Sequence, residues 1–520
     1  MKKYLMAIDA GSGSIRAIIF DLDTNLIAFE QEEWTHLSNP KYPGSMDFDI
    51  KKNYGLTISC ISGAVKKAGI NGNDIIALSA TSMRDGIVLY DKNGKELWAC
   101  ANVDARAFNE VKTLKNISPS FEKENYNISG QTFVLGSIPR LLWVKNNMPE
   151  VYDKVATITM INDWITYRLT GILSIEPSNG CSTGIFSLKN RTWESSIMVK
   201  CGLKEDIFPP ILECGTVVGK VKKDVASQTG LSPDCQVVMG GGDTQLGCVG
   251  IGAVLPDQTA LLGGSHWQLV SNTDNPIMDK DCRIRVNNHA IPGIWQYELI
   301  AFSPGLVLRW FRDVFCQLEK LIEERTGIDA YYLLDKEASS APVGSNNLIC
   351  IFSNIMNYMN WKHAAPSFIN FSINNKKSDR KVFYRSILEN AALISFGHAK
   401  IIESVTGKYP KEIVFTSGAS NSKLWCSIVA DVLGVPIKVP KIKEATALGA
   451  AIYAGVGSGI YNDVVETSTN LCNFEEIYEP NIKNHEIYAD LFEKWQQVYK
   501  TELENSDKNL TTHMWKAQGL

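Results

Sequence analysis

Short apolar runs separated by small polar residues open the chain. Residues 4–8 and 15–20 are apolar, and residues 9–14 between them are small and polar. The turn-forming residues 21–25 then precede a third predicted strand at residues 26–33. Runs of this length joined by such turns are typical of β-strands, so the pattern predicts three antiparallel strands at the start of the first domain.

Strands and helices then alternate through the first half of the chain. Residues 86–90 and 96–100 flank the turn 91–94, which predicts a second hairpin. Apolar positions three and four residues apart predict helices at 138–144 and 163–169. Because strands are mixed with helices, the sequence indicates an α/β fold.

The second half repeats this order of elements: a strand, a small turn and a strand, followed by long helices. We therefore predict two large domains, 1–250 and 251–475, and a helical C-terminal extension at 476–520. Residues 443–455 are mostly small, which predicts a helix that packs closely against a neighbour. The other elements predicted in this half are strands at 258–262, 267–271 and 413–415 and helices at 380–406 and 422–433.

Composition and charge limit the class of protein. The chain has 520 residues, of which 45% are hydrophobic and 21% charged, as expected of a soluble globular protein with more than one core. Its formal net charge of −4 provides no positive field, so we expect neither nucleic acid nor a membrane as a partner. Asp9 interrupts the first apolar run too early for a signal peptide or a membrane span, which predicts a cytoplasmic protein.

Cysteine and histidine spacing argues against zinc and redox motifs. The twelve cysteines include no C-x-x-C pair, and the seven histidines show no H-x-x-x-H or H-E-x-x-H spacing. We therefore predict reduced thiols that pack as small apolar residues, and no metal bound by imidazole.

Three glycine-punctuated turns carry the candidate chemistry: residues 9–16, 240–245 and 262–267. Turns rich in Gly and Ser direct successive backbone N–H groups into one concavity, which favours phosphate. We interpret the glycines of the second turn as bringing backbone within reach of a ligand, with Asp243 as a catalytic base beside a bound anion. Asp9 in the first turn could hold Mg²⁺ through waters.

A fourth turn, residues 417–420, leads into a helix N-terminus and is another candidate cradle for an anion or a nucleotide. Charged residues near strand ends, Arg84, Asp85 and Asp104, are either solvated or form a polyol site, in which carboxylates accept hydroxyl protons and an arginine donates. Trp267 is either an apolar wall for a small substrate or part of the core.

A serine hydrolase is the rival class of enzyme. Residues 180–184 match G-x-S-x-G, and Ser182, Asp243 and His289 follow the order of a hydrolase triad. The nucleophile elbow requires a buried strand before the serine and a helix after it, whereas here a polar loop precedes and a strand follows. We therefore expect Ser182 to serve turn geometry. Walker A and G-x-G-x-x-G patterns are absent from the sequence, which disfavours P-loop and Rossmann folds.

The order of these motifs resembles the FGGY carbohydrate kinases over essentially the whole chain. The segments that carry the resemblance are 9–16, 240–243, 262–265, 417–425 and 444–450. The resemblance implies a two-domain α/β fold of the actin-like ATPase (ribonuclease H-like) class with an interdomain catalytic cleft. It implies substrate and phosphate binding by domain 1–250 and nucleotide binding by domain 251–475.

The resemblance also implies the reaction. Longer segments are most similar to members that use ATP and Mg²⁺ to phosphorylate the terminal hydroxyl of the linear dione (S)-4,5-dihydroxypentane-2,3-dione. A kinase for another small sugar or polyol, such as a ketopentose, is the first alternative, and a non-catalytic nucleotide-binding module is the second. The resemblance leaves open which regulatory proteins bind the chain. The segments are 82–90, 101–106, 240–247, 363–370 and 515–520.

Site residues follow from the resemblance position by position. Asp243 takes the place of the general base, and Asp9 and Asp243 are the expected metal ligands. Two positions depart from many family members, which have Thr in place of Ser12 and Gly in place of Ser417. The expected substrate-binding residues are Arg84, Asp85, Asp104, Asp243, Gln245 and Trp267. The expected nucleotide-binding residues are Ser12, Gly13, Ser14, Arg16, Gly263, Gly264, Ser265, Gly305, Arg309, Ser417, Gly418, Ala419 and Lys423.

Overall fold

Two large sheets organise the chain in the computed structural model, which describes residues 2–264, 266–302 and 304–520. We name residues 2–250, around the six-stranded sheet, the first lobe, and residues 251–520, around the seven-stranded sheet, the second lobe. Helices cover both sheets, as the alternating pattern predicts. Among the described helices, none combines the length and apolar character needed to cross a bilayer.

The first lobe contains eleven strands and ten α-helices. The strands are β1 (Tyr4–Ala10), β2 (Ser14–Asp21), β3 (Leu26–Glu33), β4 (Ile75–Ser82), β5 (Ile87–Tyr90), β6 (Glu96–Cys100), β7 (Thr157–Met160), β8 (Phe186–Ser187), β9 (Thr192–Trp193), β10 (Val217–Lys220) and β11 (Gln236–Gly242). The helices are α1 (Ile50–Ala68), α2 (Phe108–Lys115), α3 (Phe121–Ser129), α4 (Ser137–Asn147), α5 (Pro149–Tyr152), α6 (Ile161–Thr170), α7 (Pro177–Gly180), α8 (Ser195–Lys200), α9 (Lys223–Thr229) and α10 (Asp243–Gly250).

The first sheet has the strand order β10-β11-β4-β1-β2-β3, and its centre, β11-β4-β1, is parallel. β1 and the first half of β4 are mostly apolar, and both strands are buried because helices cover both of their faces. β3 is an edge strand that exposes Leu26, Ile27 and Phe29 as well as polar residues. The predicted opening meander is confirmed.

The second lobe contains the remaining elements. Its strands are β12 (Thr259–Gly263), β13 (Trp267–Thr273), β14 (Arg285–Asn288), β15 (Trp295–Ala301), β16 (Ile349–Ile351), β17 (Lys362–His363), β18 (Ser367–Ile369), β19 (Ile413–Thr416), β20 (Ile437–Pro440), β21 (Phe474–Tyr478) and β22 (Trp515–Lys516). Its helices are α11 (Pro304–Phe315), α12 (Gln317–Thr326), α13 (Ala330–Ala338), α14 (Arg380–Thr406), α15 (Lys423–Leu433), α16 (Ala445–Gly457), α17 (Val464–Leu471) and α18 (Ile482–Asp507). One-turn 3₁₀ helices lie at Gly72–Asp74, Cys181–Thr183, Ser345–Asn347, Tyr358–Asn360 and Gly418–Asn421.

The second sheet has the order β14-β15-β13-β12-β19-β20-β21, with β12, β19 and β20 parallel. A large apolar core fills the space between this sheet and helices α14, α15 and α18. The predicted boundary between residues 475 and 476, where the C-terminal extension begins, lies inside β21, which pairs with β20. The long helix of that extension is α18, which packs on α15.

The small-residue helix α16 lies on the sheet of the first lobe although it follows the second sheet's strand β20. It packs against α10 and against strands β1, β4 and β11. A Cβ atom added at Gly449 would lie 1.9 Å from the carbonyl oxygen of Leu246, and one added at Gly250 would lie 1.9 Å from that of Ala445. Only glycine permits this approach, so the predicted close packing of this helix is confirmed.

Candidate active site

The carboxyl ends of three parallel strands meet at one edge of the first sheet. In β1, Asp9 lies opposite Thr81 of β4, and Gly242 of β11 lies opposite Ser82 of β4. The residues that end these strands or follow them, Asp9, Arg84 and Asp243, are therefore neighbours. This is the edge at which open α/β sheets bind ligands.

Asp243 is the first residue of α10 and faces this edge with 35% of its side chain exposed. Its Oδ1 accepts a hydrogen bond from the Thr244 backbone N–H at 2.7 Å and lies 3.5 Å from Nε of Arg84. Burial raises the pKa of Asp243, and this effect outweighs the lowering by Arg84 and by the Thr244 N–H; Asp9 and Glu298 add to the rise. A carboxylate with a raised pKa accepts a proton more readily.

Two of the three glycines before Asp243 serve packing, whereas a Cβ added at Gly242 would lie 2.6 Å from Oε1 of Gln245, so the interpretation that backbone approaches a ligand stays a prediction for Gly242. A Cβ added at Gly240 would lie 1.9 Å from the Ala80 carbonyl oxygen. One at Gly241 would lie 2.6 Å from Oγ of Ser178. These contacts lie within the first lobe, so the glycines let β11 approach β4 and the neighbouring turn.

The first turn differs, because two backbone N–H groups at its tip have no acceptor among the described atoms. Trp34 donates through Nε1 to the Gly11 carbonyl at 3.0 Å, and a ring nitrogen of His36 lies 2.7 Å from the Ser12 carbonyl oxygen. Within the described chain, no acceptor binds the N–H of Ser12 or Gly13, and a Cβ added at Gly13 would meet no described atom within 4 Å. Ser14 then begins β2. The turn is an open array of donors that suits an anion.

Arg16 ties the first turn to the start of α16. Its Nη2 lies 2.5 Å from Oδ2 of Asp9, and its Nη1 lies 2.6 Å from Oε2 of Glu444. The guanidinium thus occupies one oxygen of Asp9 and leaves Oδ1 without a cation among its described contacts. Asp9 and Asp243 offer carboxylate oxygens at one sheet edge, the donor type that Mg²⁺ prefers, so the residues present fit that ion. Among the described side chains, groups of three or more His, Cys, Asp or Glu that could hold a metal are absent.

A cavity of about 1080 Å³ lies in the second lobe. It is bounded by the ends of the parallel strands β12 and β19, where Leu262 is opposite Thr416, and by α11 and α13. Such a volume is at the upper end of the range for ligand sites and suits a nucleotide. Six residues expected to bind nucleotide line it: Gly264, Gly305, Arg309, Gly418, Ala419 and Lys423.

Four further residues that line this cavity were not predicted from the sequence. Tyr331, Tyr332 and Asp335 come from α13, and Tyr384 comes from α14. They offer aromatic surface and one carboxylate whose pKa is raised by burial. No motif marks them, since they lie on ordinary amphipathic helices and only the tertiary fold brings them to the cavity.

Two expected nucleotide residues have backbone roles. A Cβ added at Gly263 would lie 2.6 Å from the ring of Phe415 and 2.8 Å from that of Trp267, so this glycine is required for packing. Ser417 has φ 72° and ψ −171°, a backbone region that is almost exclusive to glycine. Ser265 lies outside the described residues.

Buried ion pairs between the lobes surround the expected substrate-binding residues. Arg84 donates through Nη1 to Oε2 of Glu298 at 2.7 Å and through Nη2 to its Oε1. Asp85, with φ 67°, receives two hydrogen bonds from Arg285, at 2.6 and 3.2 Å. Sequence reasoning missed Glu298 and Arg285, because an isolated charge in a strand carries no signal of what it pairs with.

Two assignments to the substrate wall are corrected by burial. The Trp267 side chain is wholly buried, donates through Nε1 to Oγ of Ser395 at 2.7 Å and stacks on Trp425 at 4.8 Å. It belongs to the core and offers no surface to a substrate. Asp104 is also fully buried, and its carboxylate accepts from the Met46 N–H at 2.7 Å and from Arg106, so it shapes a loop.

Gln245 remains compatible with a ligand role. Its side chain is buried in α10, and both its amide oxygen and its amide nitrogen lack a hydrogen-bond partner among the described atoms. The oxygen lies close to Gly242, beside Asp243. Buried amide groups normally have hydrogen-bond partners, so a polar ligand or a water molecule could bind to this one.

The hydrolase triad is not assembled. Ser182 donates its hydroxyl proton to the Asn179 carbonyl at 2.7 Å within a 3₁₀ turn. His289 accepts from the Ile291 N–H, and burial lowers its pKa to about 3. Neither makes a described hydrogen bond to the other or to Asp243. The predicted turn role of Ser182 therefore explains the G-x-S-x-G match.

Sequence comparison gives the family. The model of the FGGY family of carbohydrate kinases, N-terminal domain, matches residues 4–250, and the model of its C-terminal domain matches residues 260–458. The chain therefore belongs to the FGGY family of carbohydrate kinases, whose reaction uses ATP as the phosphoryl donor. The predictions of an ATP-dependent kinase and of the family are confirmed.

Curated relatives cover the full length. The autoinducer-2 kinase of Escherichia coli (strain K12) is 49% identical over 520 residues, which is 100% of this chain and 98% of the relative. The autoinducer-2 kinase of Salmonella paratyphi A (strain ATCC 9150 / SARB42) is 48% identical over 518 residues, 99% of this chain and 98% of the relative.

Solved structures confirm the two-domain α/β fold. A ligand-bound xylulose kinase from Lactobacillus acidophilus superposes with a TM-score of 0.85 at 22% identity, covering 98% of this chain and 100% of that one. A glycerol kinase from Plasmodium falciparum with ADP has a TM-score of 0.81 at 18% identity, covering 96% and 98%. Both agree with the predicted actin-like ATPase class.

Proposed function

We propose that this kinase transfers the γ-phosphoryl group of ATP to the terminal hydroxyl of (S)-4,5-dihydroxypentane-2,3-dione, the linear precursor of autoinducer-2. The observation that carries the proposal is the 49% identity over the full chain to autoinducer-2 kinases. Identity at this level extends across both lobes, so it includes the elements that would form the pocket wall. The products are the phosphorylated dione and ADP.

Asp243 is the general base in this proposal. The substrate oxygen forms a bond to the γ-phosphorus, the bond from that phosphorus to the β,γ-bridging oxygen breaks, and the hydroxyl proton passes to the Asp243 carboxylate. Phosphoryl transfer depends mainly on positioning and on neutralising charge, so a single well-placed base suffices. The raised pKa of Asp243 supports this role.

The nucleotide spans the two lobes. Adenosine occupies the second-lobe cavity, whose lining includes Gly418, Ala419 and Lys423. The phosphates lie between Gly264 on one side and the N–H groups of Ser12 and Gly13 on the other. Asp9 and Asp243 would hold Mg²⁺, which would supply positive charge to the phosphates.

Arg84, Asp85 and Gln245 bind the dione and its hydroxyl groups. A guanidinium donates to carbonyl and hydroxyl oxygens, and a carboxylate accepts from hydroxyl groups, which together match a small oxygenated substrate. We assign the activity to the cytoplasm, because all twelve cysteines are unpaired thiols, as in a reducing compartment.

The experiment is ADP release by the purified full chain on addition of candidate acceptors. The dione is expected to give the highest kcat/KM, above D-xylulose and glycerol, which represent the sugar and polyol kinases of the same fold. A higher kcat/KM for xylulose would assign the chain to the alternative, a ketopentose kinase. If none of the acceptors in a broad panel causes release of ADP, the chain is instead a nucleotide-binding module.

A further inference from the structure

A closed cluster of four buried charges joins the lobes beside the candidate base. Arg84 and Asp85 come from the first lobe, and Arg285 and Glu298 come from the second. Glu298 is fully buried, and the side chains of the two arginines are no more than 6% exposed. The charges of the four groups cancel, which is the condition under which ions persist in a protein interior.

The second-lobe half of this cluster is fixed by strand register. Arg285 of β14 lies directly opposite Glu298 of β15, so both side chains project from the same face. Asn287 donates through Nδ2 to Oε2 of Glu298 at 2.9 Å and supports the carboxylate. Val286 of the same strand donates its N–H to the Gly130 carbonyl of the first lobe at 3.2 Å. The Glu298 carboxylate is thus held rigidly against the first lobe.

Glu298 determines where the Arg84 guanidinium points. Both terminal nitrogens of Arg84 bind the two oxygens of Glu298, and only Nε faces Asp243, at 3.5 Å. Nε has no hydrogen-bond partner among the described atoms. An arginine released from Glu298 would present two N–H groups to Asp243, and a bidentate pair in this buried setting would occupy the oxygens that must receive a proton.

We propose that Glu298 is a positioning residue for phosphoryl transfer: by holding both terminal nitrogens of Arg84 from the second lobe, it keeps Asp243 free to act as the base. The inference rests on the role of Asp243 in the proposed function. It also makes the base depend on the arrangement of the lobes, because the residue that restrains Arg84 belongs to the lobe that holds the nucleotide.

The test is a double-mutant cycle with Glu298→Gln and Arg84→Gln in the full chain. Glu298→Gln is expected to lower kcat at least ~10-fold while the KM for ATP changes less than ~2-fold, because the loss concerns the proton acceptor and not the nucleotide. In the Arg84→Gln background, the same substitution is expected to cause no further loss, since Glu298 acts through Arg84. Glu298→Asp, which keeps the charge, should recover part of the rate.

Glu389→Gln is the matched control. Glu389 is a buried second-lobe carboxylate paired with Arg385 at 2.7 Å, and its described contacts are with Gly344, Ser345 and Tyr488, away from the cleft. It should lower thermal stability as Glu298→Gln does and leave kcat unchanged. Equal loss of kcat in both variants, or losses from Glu298→Gln and Arg84→Gln that multiply independently, would overturn the inference.

The proposed function and this inference fail in different ways. If the wild-type chain prefers an acceptor other than the dione, the proposed substrate is wrong, and the cycle is run with the preferred acceptor. The melting temperatures of the same single and double variants can be compared without any substrate. The effects of the two substitutions on melting temperature are expected to be non-additive, because the two side chains pair. Additive effects would overturn the pairing itself.

Discussion

Arg16 and Glu444 form an ion pair of 2.6 Å although 428 positions separate them in the sequence. The same guanidinium binds Asp9, so Glu444, which precedes α16, helps to orient the expected metal ligand in β1 through Arg16. Because the Arg16 guanidinium neutralises the Asp9 carboxylate, it competes with Mg²⁺ for that carboxylate.

The first prediction concerns this competition. Arg16→Met removes the positive charge beside Asp9, so Mg²⁺ should reach half-maximal activation at a concentration at least ~3-fold lower, with a reduced kcat because Asp9 is less well oriented. The measurement is the rate of ADP release against Mg²⁺ concentration at fixed ATP. An unchanged midpoint would mean that Asp9 does not contact the ion.

Asp243→Asn should lower kcat at least ~10²-fold, the scale of general-base catalysis, because the amide cannot accept the hydroxyl proton. Nucleotide affinity should change little, since the adenosine cavity lies in the other lobe. The measurements are single-turnover phosphorylation and the Kd for ADP. Near-normal turnover in this variant would remove Asp243 from the mechanism.

Two glycines expected to contact nucleotide should respond in opposite ways to the same change. Gly263→Ala forces a Cβ into the Phe415 and Trp267 rings and should cost about 1–3 kcal/mol of stability. Gly13→Ala meets no described atom within 4 Å, so its melting temperature should stay close to that of the wild type. The KM for ATP should nevertheless rise several-fold, because the methyl group enters the space assigned to the phosphates. Unfolding and ATP kinetics of the two variants, compared side by side, decide between packing and ligand contact.

Ser417→Gly should stabilise the protein. The backbone of Ser417 occupies a region that costs of order 1–3 kcal/mol for a residue with a side chain, and glycine adopts it without that strain. Part of the gain is lost to the greater freedom of glycine in the unfolded chain, which leaves a net increase of about 1 kcal/mol. Ser417→Ala retains Cβ and serves as the control, so it should show no gain in urea unfolding.

Glu176 should make stability depend on pH. Burial raises the pKa of this carboxyl to about 7 in the folded chain, against 4.5 for an ordinary glutamate. Between these values the unfolded chain has lost the proton and the folded chain retains it, so stability falls as pH rises and the loss is complete above pH 7. The full effect is about 3 kcal/mol. Glu176→Gln should flatten this part of the curve, and unfolding free energies of both proteins between about pH 5 and pH 8 will show it.

Local patterns predicted many elements because they depend on neighbours in sequence. β3 at Leu26–Glu33 and α14 at Arg380–Thr406 follow the predicted bounds, since turn residues mark the start of β3 and helical apolar spacing defines α14. The lining of the second-lobe cavity was found in part through its turns, such as Gly418. Tyr331 and Tyr332 were missed, because a tyrosine on a helix has the same local pattern whether it faces solvent or a cavity.

Pairings between distant residues were beyond the sequence. Arg285 and Glu298 look like isolated charges in strands until the fold places them against Asp85 and Arg84. The same limit produced the wrong assignment of Trp267, since burial against Trp425 depends on helix α15, far along the chain. A turn motif predicts where a ligand approaches, but it does not predict which neighbouring side chains are buried in the hydrophobic core.

The position of α16 has a consequence for how the molecule is made. The apolar face of β1, β4 and β11 is covered by a helix that ends at Gly457. During synthesis the first 250 residues leave the ribosome long before that helix, so this face stays open until most of the polypeptide has been translated.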